Sequence, residues 1–88
     1  MYFLLIRPSL DRKLVKLSKK NRKQHEIIMD KAEEICNEPH HYKSLSAPLN
    51  GWKRVHIDRH FVLAFSIDEA AKTVILEDYD HHDRIYRN

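Results

Sequence analysis

Three runs of residues that favour β-structure occupy the second half of the chain, and they constrain its fold more than any other feature. In the first two runs, side chains of different polarity or size alternate with a period of two, which is typical of β-strands. The runs cover residues 52–57, 60–67 and 72–79 and are rich in β-branched and aromatic side chains. Because only Asp58 and Arg59 separate the first two runs, we predict that these strands form an antiparallel hairpin.

The first half of the chain predicts one short strand and two helices. Residues 2–6 are apolar and suit a buried strand. Ser9 is a predicted N-cap for the first helix, whose apolar stripe follows at helical spacing. The stripe consists of Leu10, Leu14 and Leu17. A second helix is predicted to begin after Asn21 and to end before Pro39, which disfavours helical backbone in the residue before it.

This order of elements predicts the fold class. One strand, two helices and three strands suit an α+β domain, β-α-α-β-β-β, in which an antiparallel sheet carries a two-helix layer on one face. A chain of 88 residues has room for a single domain, which we expect to span residues 1–88.

The second strand also predicts a concave surface on the sheet face away from the helices. Its larger apolar residues should meet the helices, and its smaller ones should face the other way. The larger set is Phe61, Leu63, Phe65 and Ile67, and the smaller set is Val62, Ala64 and Ser66. Arg54 and His56 are expected on the wall of a shallow hollow above the small residues.

Charge is distributed unevenly along the chain. Residues 7–23 carry eight basic residues and one acidic one, a net charge of +7, whereas the remaining residues carry eight basic and twelve acidic ones, a net charge of −4. A concentrated basic segment suggests a polyanion or an acidic partner. A solvated helix face is the simpler interpretation, and composition alone favours it.

Cys36 is the only cysteine, so that no internal disulfide and no cysteine-based zinc site can form. We therefore expect a reducing compartment, the cytoplasm. No stretch approaches the ~20 apolar residues that span a bilayer, and we expect no membrane association.

Histidine is unusually frequent, with seven in the chain. His56, His60 and His82 fall near predicted strand ends around the hollow, where they are candidates for acid–base chemistry near neutral pH. His81 and His82 also suggest a metal site with the neighbouring aspartates. Side chains of adjacent residues are expected to diverge, however, and the spacing matches no known metal motif. We therefore predict no metal and no other cofactor.

A small basic domain with histidines, arginines and aromatic residues suits RNA cleavage. A general base would take the proton of a ribose 2′-hydroxyl, an acid would protonate the departing 5′-oxygen, and a cation would stabilise the phosphorane-like transition state. Trp52, Tyr79 and Tyr86 are candidates for stacking on bases. Core packing is the alternative for each, and it is strong for Trp52.

The chain also resembles a known family over nearly its whole length. The resemblance lies in the element order and in three segments, which are Leu49-Asn50-Gly51-Trp52-Lys53, the hairpin His56-Ile57-Asp58-Arg59-His60-Phe61-Val62-Leu63-Ala64-Phe65, and the tail His82-Asp83-Arg84-Ile85-Tyr86. The chain is similar to the RelE/ParE superfamily of type II toxin–antitoxin toxins, and within it to the YafQ-like and RelE mRNA interferases.

The resemblance implies a ribosome-dependent mRNA endonuclease that cuts mRNA in the A site. It also implies a cognate antitoxin that binds the toxin, in a complex that contacts operator DNA through the antitoxin. His56 and His82 match histidines of that branch, with His82 as general acid or base, and Tyr86 matches the aromatic residue that orients the nucleotide. Lys53 and Arg54 fall where relatives hold the phosphate.

One departure widens the candidate set. Many RelE proteins place arginine directly after the hairpin aromatic, where this chain has Val62, so that His60, Arg59 and Arg84 become candidates to share the catalytic and RNA-binding roles. Two other functions stay open: a ParE-like inhibitor of DNA gyrase, and a catalytically inactive relative that only binds its antitoxin.

Overall fold

The computed structural model describes residues 1–45 and 51–85. Within these ranges the chain forms four strands, three α-helices and one short 3-10 helix. In chain order they are β1 (Phe3–Ile6), α1 (Pro8–Lys20), α2 (Arg22–Asn37), the 3-10 helix (Pro39–His41), β2 (Lys53–Ile57), β3 (Phe61–Asp68), β4 (Thr73–His81) and α3 (His82–Ile85). None of the helices in the described ranges has the length and apolar character needed to cross a bilayer.

The predicted fold class is confirmed, because two helices pack on one four-stranded sheet in the order β-α-α-β-β-β. The strands lie in the order β1-β4-β3-β2. One strand pair differs from the expected antiparallel sheet, since β1 runs parallel to β4. The order and spacing of the strands in the sequence predict that β2, β3 and β4 pair antiparallel, as they do. They do not indicate which of these strands pairs with β1.

The two long helices begin for different reasons. Pro8 occupies the first turn of α1, where its fixed φ and missing N–H cost nothing, so that the expected N-cap at Ser9 was wrong. Asn21 caps α2 as predicted, because its side-chain oxygen accepts the backbone N–H of Gln24 at 3.1 Å.

The core between helices and sheet confirms the predicted facing of β3. Leu63 and Phe65 are fully buried against the helices, with Phe61 and Ile67 partly buried beside them. Leu10 and Leu14 of α1 and Ile28 of α2 complete the helical side of this cluster.

The opposite face of the sheet is not hollow at β3. Val62 and Ala64 are fully buried there under Leu45 and Ile85, and Trp52 packs against the same cluster. The small side chains leave room above the sheet, as expected, but two chain segments fill it and thereby remove apolar surface from water. The predicted open hollow was therefore wrong.

A β-bulge changes the facing of β4 midway along the strand. Phe65 pairs with Leu76 and Ala64 pairs with Asp78, which leaves Glu77 as the extra residue. Leu76 and Tyr79 consequently share the helix-facing cluster although they are three residues apart. The Glu77 carboxylate, nearly buried at 7% side-chain exposure, accepts hydrogen bonds from Arg7 Nε at 2.8 Å and Ser66 Oγ at 2.6 Å.

A buried polar pair joins α2 to β4, and its removal tests the packing. Gln24 Nε2 donates to the Tyr79 hydroxyl at 3.0 Å, and both side chains are buried. We expect Tyr79→Phe to destabilise the fold by about 1–3 kcal/mol in urea unfolding, because a buried amide loses its acceptor. The double variant Gln24→Leu/Tyr79→Phe should recover much of that loss. Equal losses in the single and double variants would contradict the role of this bond.

A second test uses the surface cluster that joins the N-terminus to the β3–β4 turn. Hydrogen bonds from Lys72, from the Tyr2 hydroxyl and from His40 lower the pKa of Glu69 from 4.5 to about 2. The folded state therefore holds the charged carboxylate that the unfolded chain protonates near pH 4.5. We expect Glu69 to stabilise the fold above pH 4.5 and to lose this effect as the pH falls to 2. Urea midpoints of wild type and Glu69→Gln should converge over that interval, and a constant difference would refute the linkage.

Candidate functional site

The hairpin turn and the end of β4 meet at one end of the sheet. The turn between β2 and β3 is tight, with Asp58 at φ 59°, a left-handed conformation that Asp adopts more readily than most residues. Phe61 pairs with His81 in the adjoining strand, and the His82 N–H donates to the His60 carbonyl at 2.8 Å. This register places His60 beside the adjacent residues His81 and His82, more than 20 positions later in the sequence.

The three imidazoles form a compact group, which we name the histidine cluster (His60, His81 and His82). The rings of His60 and His81 are parallel, with centroids 5.8 Å apart, and those of His81 and His82 are 4.7 Å apart. One ring nitrogen of each residue lies within 4.8 Å of the others. The expectation that adjacent histidines diverge was wrong, because the chain changes from strand to helix between His81 and His82.

Asp83 orients two of the three rings. Its Oδ1 lies 2.9 Å from His82 Nδ1, and its Oδ2 lies 3.6 Å from His81 Nδ1. The Asp83 backbone N–H also donates to His81 Nδ1 at 3.2 Å. With Nδ1 of His82 engaged by the carboxylate, its Nε2 remains available to accept a proton or a ligand.

A surface depression of about 430 Å³ adjoins the cluster and is lined by Phe61, His81, Asp83 and Arg84. The Arg84 side chain is 75% exposed and reaches Asp80 at 3.2 Å. From the helical side, Lys13 Nζ contacts Asp78 at 3.1 Å and donates to the Tyr79 carbonyl at 2.8 Å. Cations thus offset the aspartates beside the histidine cluster.

His56 lies apart from this cluster. It is exposed on β2, and its Nδ1 is 3.4 Å from the Arg54 guanidinium. Within residues 1–45 and 51–85, no hydrogen bond or ring contact joins His56 to the histidine cluster. The sequence-predicted set therefore divides into an Arg54–His56 pair and a group at the end of the sheet.

The other predicted site residues have separate positions. Lys53 Nζ donates to the Tyr42 carbonyl at 3.0 Å, and Arg59 is exposed in the hairpin turn next to His60. Trp52 is partly buried against the cluster of Leu45, Val62, Ala64 and Ile85, which agrees with the alternative that it packs in the core. Tyr79 is buried, so that stacking on a base is not open to it. Tyr86 lies outside the described residues.

Sequence reasoning missed two members of the site, His81 and Asp83. Both were considered only as members of a metal motif and then set aside. The pairing of Phe61 with His81 brings His81 to His60, and this pairing depends on the bulge at Glu77, which no pattern in the sequence indicates.

Sequence comparison identifies the family. No protein-family model matches the chain. It is 66% identical over 86 residues to an uncharacterized protein of Methanosarcina mazei, covering 98% of this chain and all of that protein. It is 58% identical over 87 residues to the candidate toxin RelE4 of Methanocaldococcus jannaschii, covering 99% of this chain and 93% of that protein. The chain belongs to the RelE family of toxins.

Solved structures of the RelE family and its relatives share the fold. A chain from the toxin–antitoxin complex RelBE2 of Mycobacterium tuberculosis superposes with a TM-score of 0.77 at 23% identity, covering 91% of this chain and 96% of that one. YafQ from Escherichia coli superposes with a TM-score of 0.74 at 15% identity, covering 98% of this chain and 99% of that one. The RelE4 relative confirms the family expected from the sequence, and these structures confirm its fold.

Proposed function

We propose that this chain is the toxin of a type II toxin–antitoxin system and that it acts as an endoribonuclease on mRNA bound to the ribosome. The RelE4 relative and the RelE-type fold support the first part. The observation that carries the nuclease activity is the histidine cluster beside the exposed guanidinium of Arg84. Imidazoles titrate near neutral pH, so that adjacent rings can serve as base and acid in one reaction.

The chemistry follows from the orientation of His82. With Nδ1 of His82 2.9 Å from Asp83 Oδ1, Nε2 of His82 is proposed to take the proton of a ribose 2′-hydroxyl. The 2′-oxygen then attacks the adjacent phosphorus, and the bond to the 5′-oxygen breaks. His60 or His81, in its protonated form, donates a proton to that leaving oxygen. The products are a 2′,3′-cyclic phosphate and a free 5′-hydroxyl. One proton is taken from the 2′-hydroxyl and one is given to the 5′-oxygen, and the new phosphorus–oxygen bond replaces the one that breaks.

Cationic groups would stabilise the transition state and hold the RNA. Arg84 adjoins the histidine cluster and is proposed to face the reacting phosphate, while Arg59 lies in the turn beside His60. The Arg54–His56 pair and Lys53 lie along β2 and are proposed to contact RNA that flanks the cleaved bond. His56 remains a predicted catalytic residue, and Tyr86 a predicted nucleotide contact.

Replacement of His82 tests the nuclease. We expect His82→Ala to lower the cleavage rate by about 10²–10⁴-fold, the usual contribution of one acid–base group. New 5′ ends in translated mRNA, mapped by primer extension after expression, measure the rate. His25→Ala, on α2, is the matched control and should cleave as wild type. Equal cleavage by His82→Ala and wild type would overturn the assignment, and gyrase-dependent DNA breaks with intact mRNA would favour the ParE-like alternative.

We further propose that α1 docks on ribosomal RNA. Arg7 and Lys13 form ion pairs with Glu77 and Asp78. The positive charge that contacts ribosomal RNA is therefore proposed to come from Lys16, Lys19 and Lys20, whose side chains are exposed.

The salt dependence of ribosome binding tests this surface. For Lys16→Ala/Lys19→Ala/Lys20→Ala, we expect weaker cosedimentation with ribosomes and a slope of log K against log salt that is smaller by about 2–3. Lys31→Ala, whose ammonium pairs with Glu34 on α2, is the control. Unchanged affinity and slope in the triple variant would refute docking through α1.

An antitoxin is the second proposed partner, and β1 is the surface that suits it. β1 is an edge strand that pairs only with β4 within the described sheet, and Phe3 and Leu5 are 73% and 51% exposed. Unpaired strand edges and exposed apolar side chains favour association with another chain. The structural neighbour from the RelBE2 toxin–antitoxin complex supports such a partner. A short protein from the adjacent reading frame that co-purifies with this chain would identify it.

A further inference from the structure

We propose that the histidine cluster is a binding site for a late first-row transition-metal cation such as Zn²⁺ or Ni²⁺. The observation behind this assignment is geometric. Three ring nitrogens lie within 4.8 Å of one another, and His60, His81 and His82 are the only group of three or more candidate ligands with such spacing in the described residues. Nitrogen ligands about 2.0–2.1 Å from a tetrahedral Zn²⁺ are about 3.3 Å apart, so that modest rotation of the rings closes the site.

The position of each residue allows that rotation. His60 is exposed in the hairpin turn, and the side chains of His81 and His82 are 35% and 39% exposed. Their rings can therefore turn about χ2 without disturbing the apolar core. The backbone is fixed at the same time, because the His82 N–H is bonded to the His60 carbonyl and β3 is paired with β4.

Asp83 gives the site an outer shell. Histidine ligands usually donate their second ring N–H to a carboxylate, which fixes the tautomer and strengthens the ligand. His82 Nδ1 lies 2.9 Å from Asp83 Oδ1, close enough for such a contact, and Nε2 is left for the cation. His81 Nδ1 accepts the Asp83 backbone N–H at 3.2 Å, so that ligation by Nε2 of His81 requires its ring to turn away from this bond. The Asp83 carboxylate can therefore orient one of the three ligands, His82.

The ligand type selects the class of cation. Three neutral imidazoles suit Zn²⁺, Ni²⁺ and Cu²⁺, whereas Mg²⁺ and Ca²⁺ prefer oxygen ligands. Three protein ligands leave a fourth position of a tetrahedral site open to water. A bound cation would occupy the lone pairs that acid–base cleavage requires, so that metal and RNA compete for the same imidazoles. This last consequence rests on the nuclease function proposed above.

Metal binding can be measured without RNA. Calorimetric titration of chelator-treated protein with Zn²⁺ should give one site per chain, and titration with Co²⁺ should give visible absorption bands of a tetrahedral complex. We expect His60→Asn and His81→Asn each to weaken binding by more than about tenfold, and Asp83→Asn by about 10–100-fold. His25→Asn is the control and should bind as wild type. Circular dichroism of the metal-free variants checks that each is folded.

The outcomes separate this proposal from the nuclease. Absence of stoichiometric binding to wild type, or unchanged binding in folded His60→Asn and His81→Asn, would overturn the metal site. If wild type cleaves RNA, stoichiometric Zn²⁺ should suppress cleavage and a chelator should restore it, whereas cleavage that is unaffected by a saturated site would refute the competition. Metal binding by a protein that cleaves no RNA would support the metal site and contradict the nuclease.

Discussion

The extra residue at Glu77 determines which side chains meet at the end of the sheet. A regular strand would place Tyr79 and His81 on the face opposite Leu76, because facing alternates with every residue. The bulge reverses this facing, so that Tyr79 enters the core and His81 lies beside Phe61. Hydrogen bonds from Arg7 and Ser66 satisfy the Glu77 carboxylate and hold the bulge in place.

The sequence predicted what depends on local patterning. The three strands of the second half lie within two residues of their expected bounds, and Asn21 caps α2 as expected. It could not predict the parallel pairing of β1 with β4, since that pairing joins residues about 70 positions apart and leaves no periodic signal. The site was predictable only in part for the same reason. Histidines near strand ends indicated chemistry, but the choice between His56 and His81 depends on register.

The contacts that stabilise the fold are more deeply buried than the side chains of the proposed chemistry. The Gln24–Tyr79 bond is buried between α2 and β4, and the nearly buried Glu77 carboxylate joins the middle of β4 to Arg7 and Ser66. The imidazoles of His81 and His82 lie above this layer at the surface, where they contribute little apolar burial. Binding of a phosphate or a cation at this end of the sheet, as proposed, would leave the contacts that hold the fold intact.

Charge balance at the histidine cluster bears on why a nuclease of this kind would need the ribosome. Asp78, Asp80 and Asp83 lie within four residues of His81 and His82 in the sequence, and the cations that contact the first two are Lys13 and Arg84. With neutral imidazoles, this group carries about one net negative charge, which gives it little attraction for free RNA. The strongly basic surface lies instead along residues 7–23, in α1 and the start of α2. Under the proposed function, docking of the helices on a large polyanion would supply the substrate affinity, and the histidine cluster would meet only RNA that is already held in place.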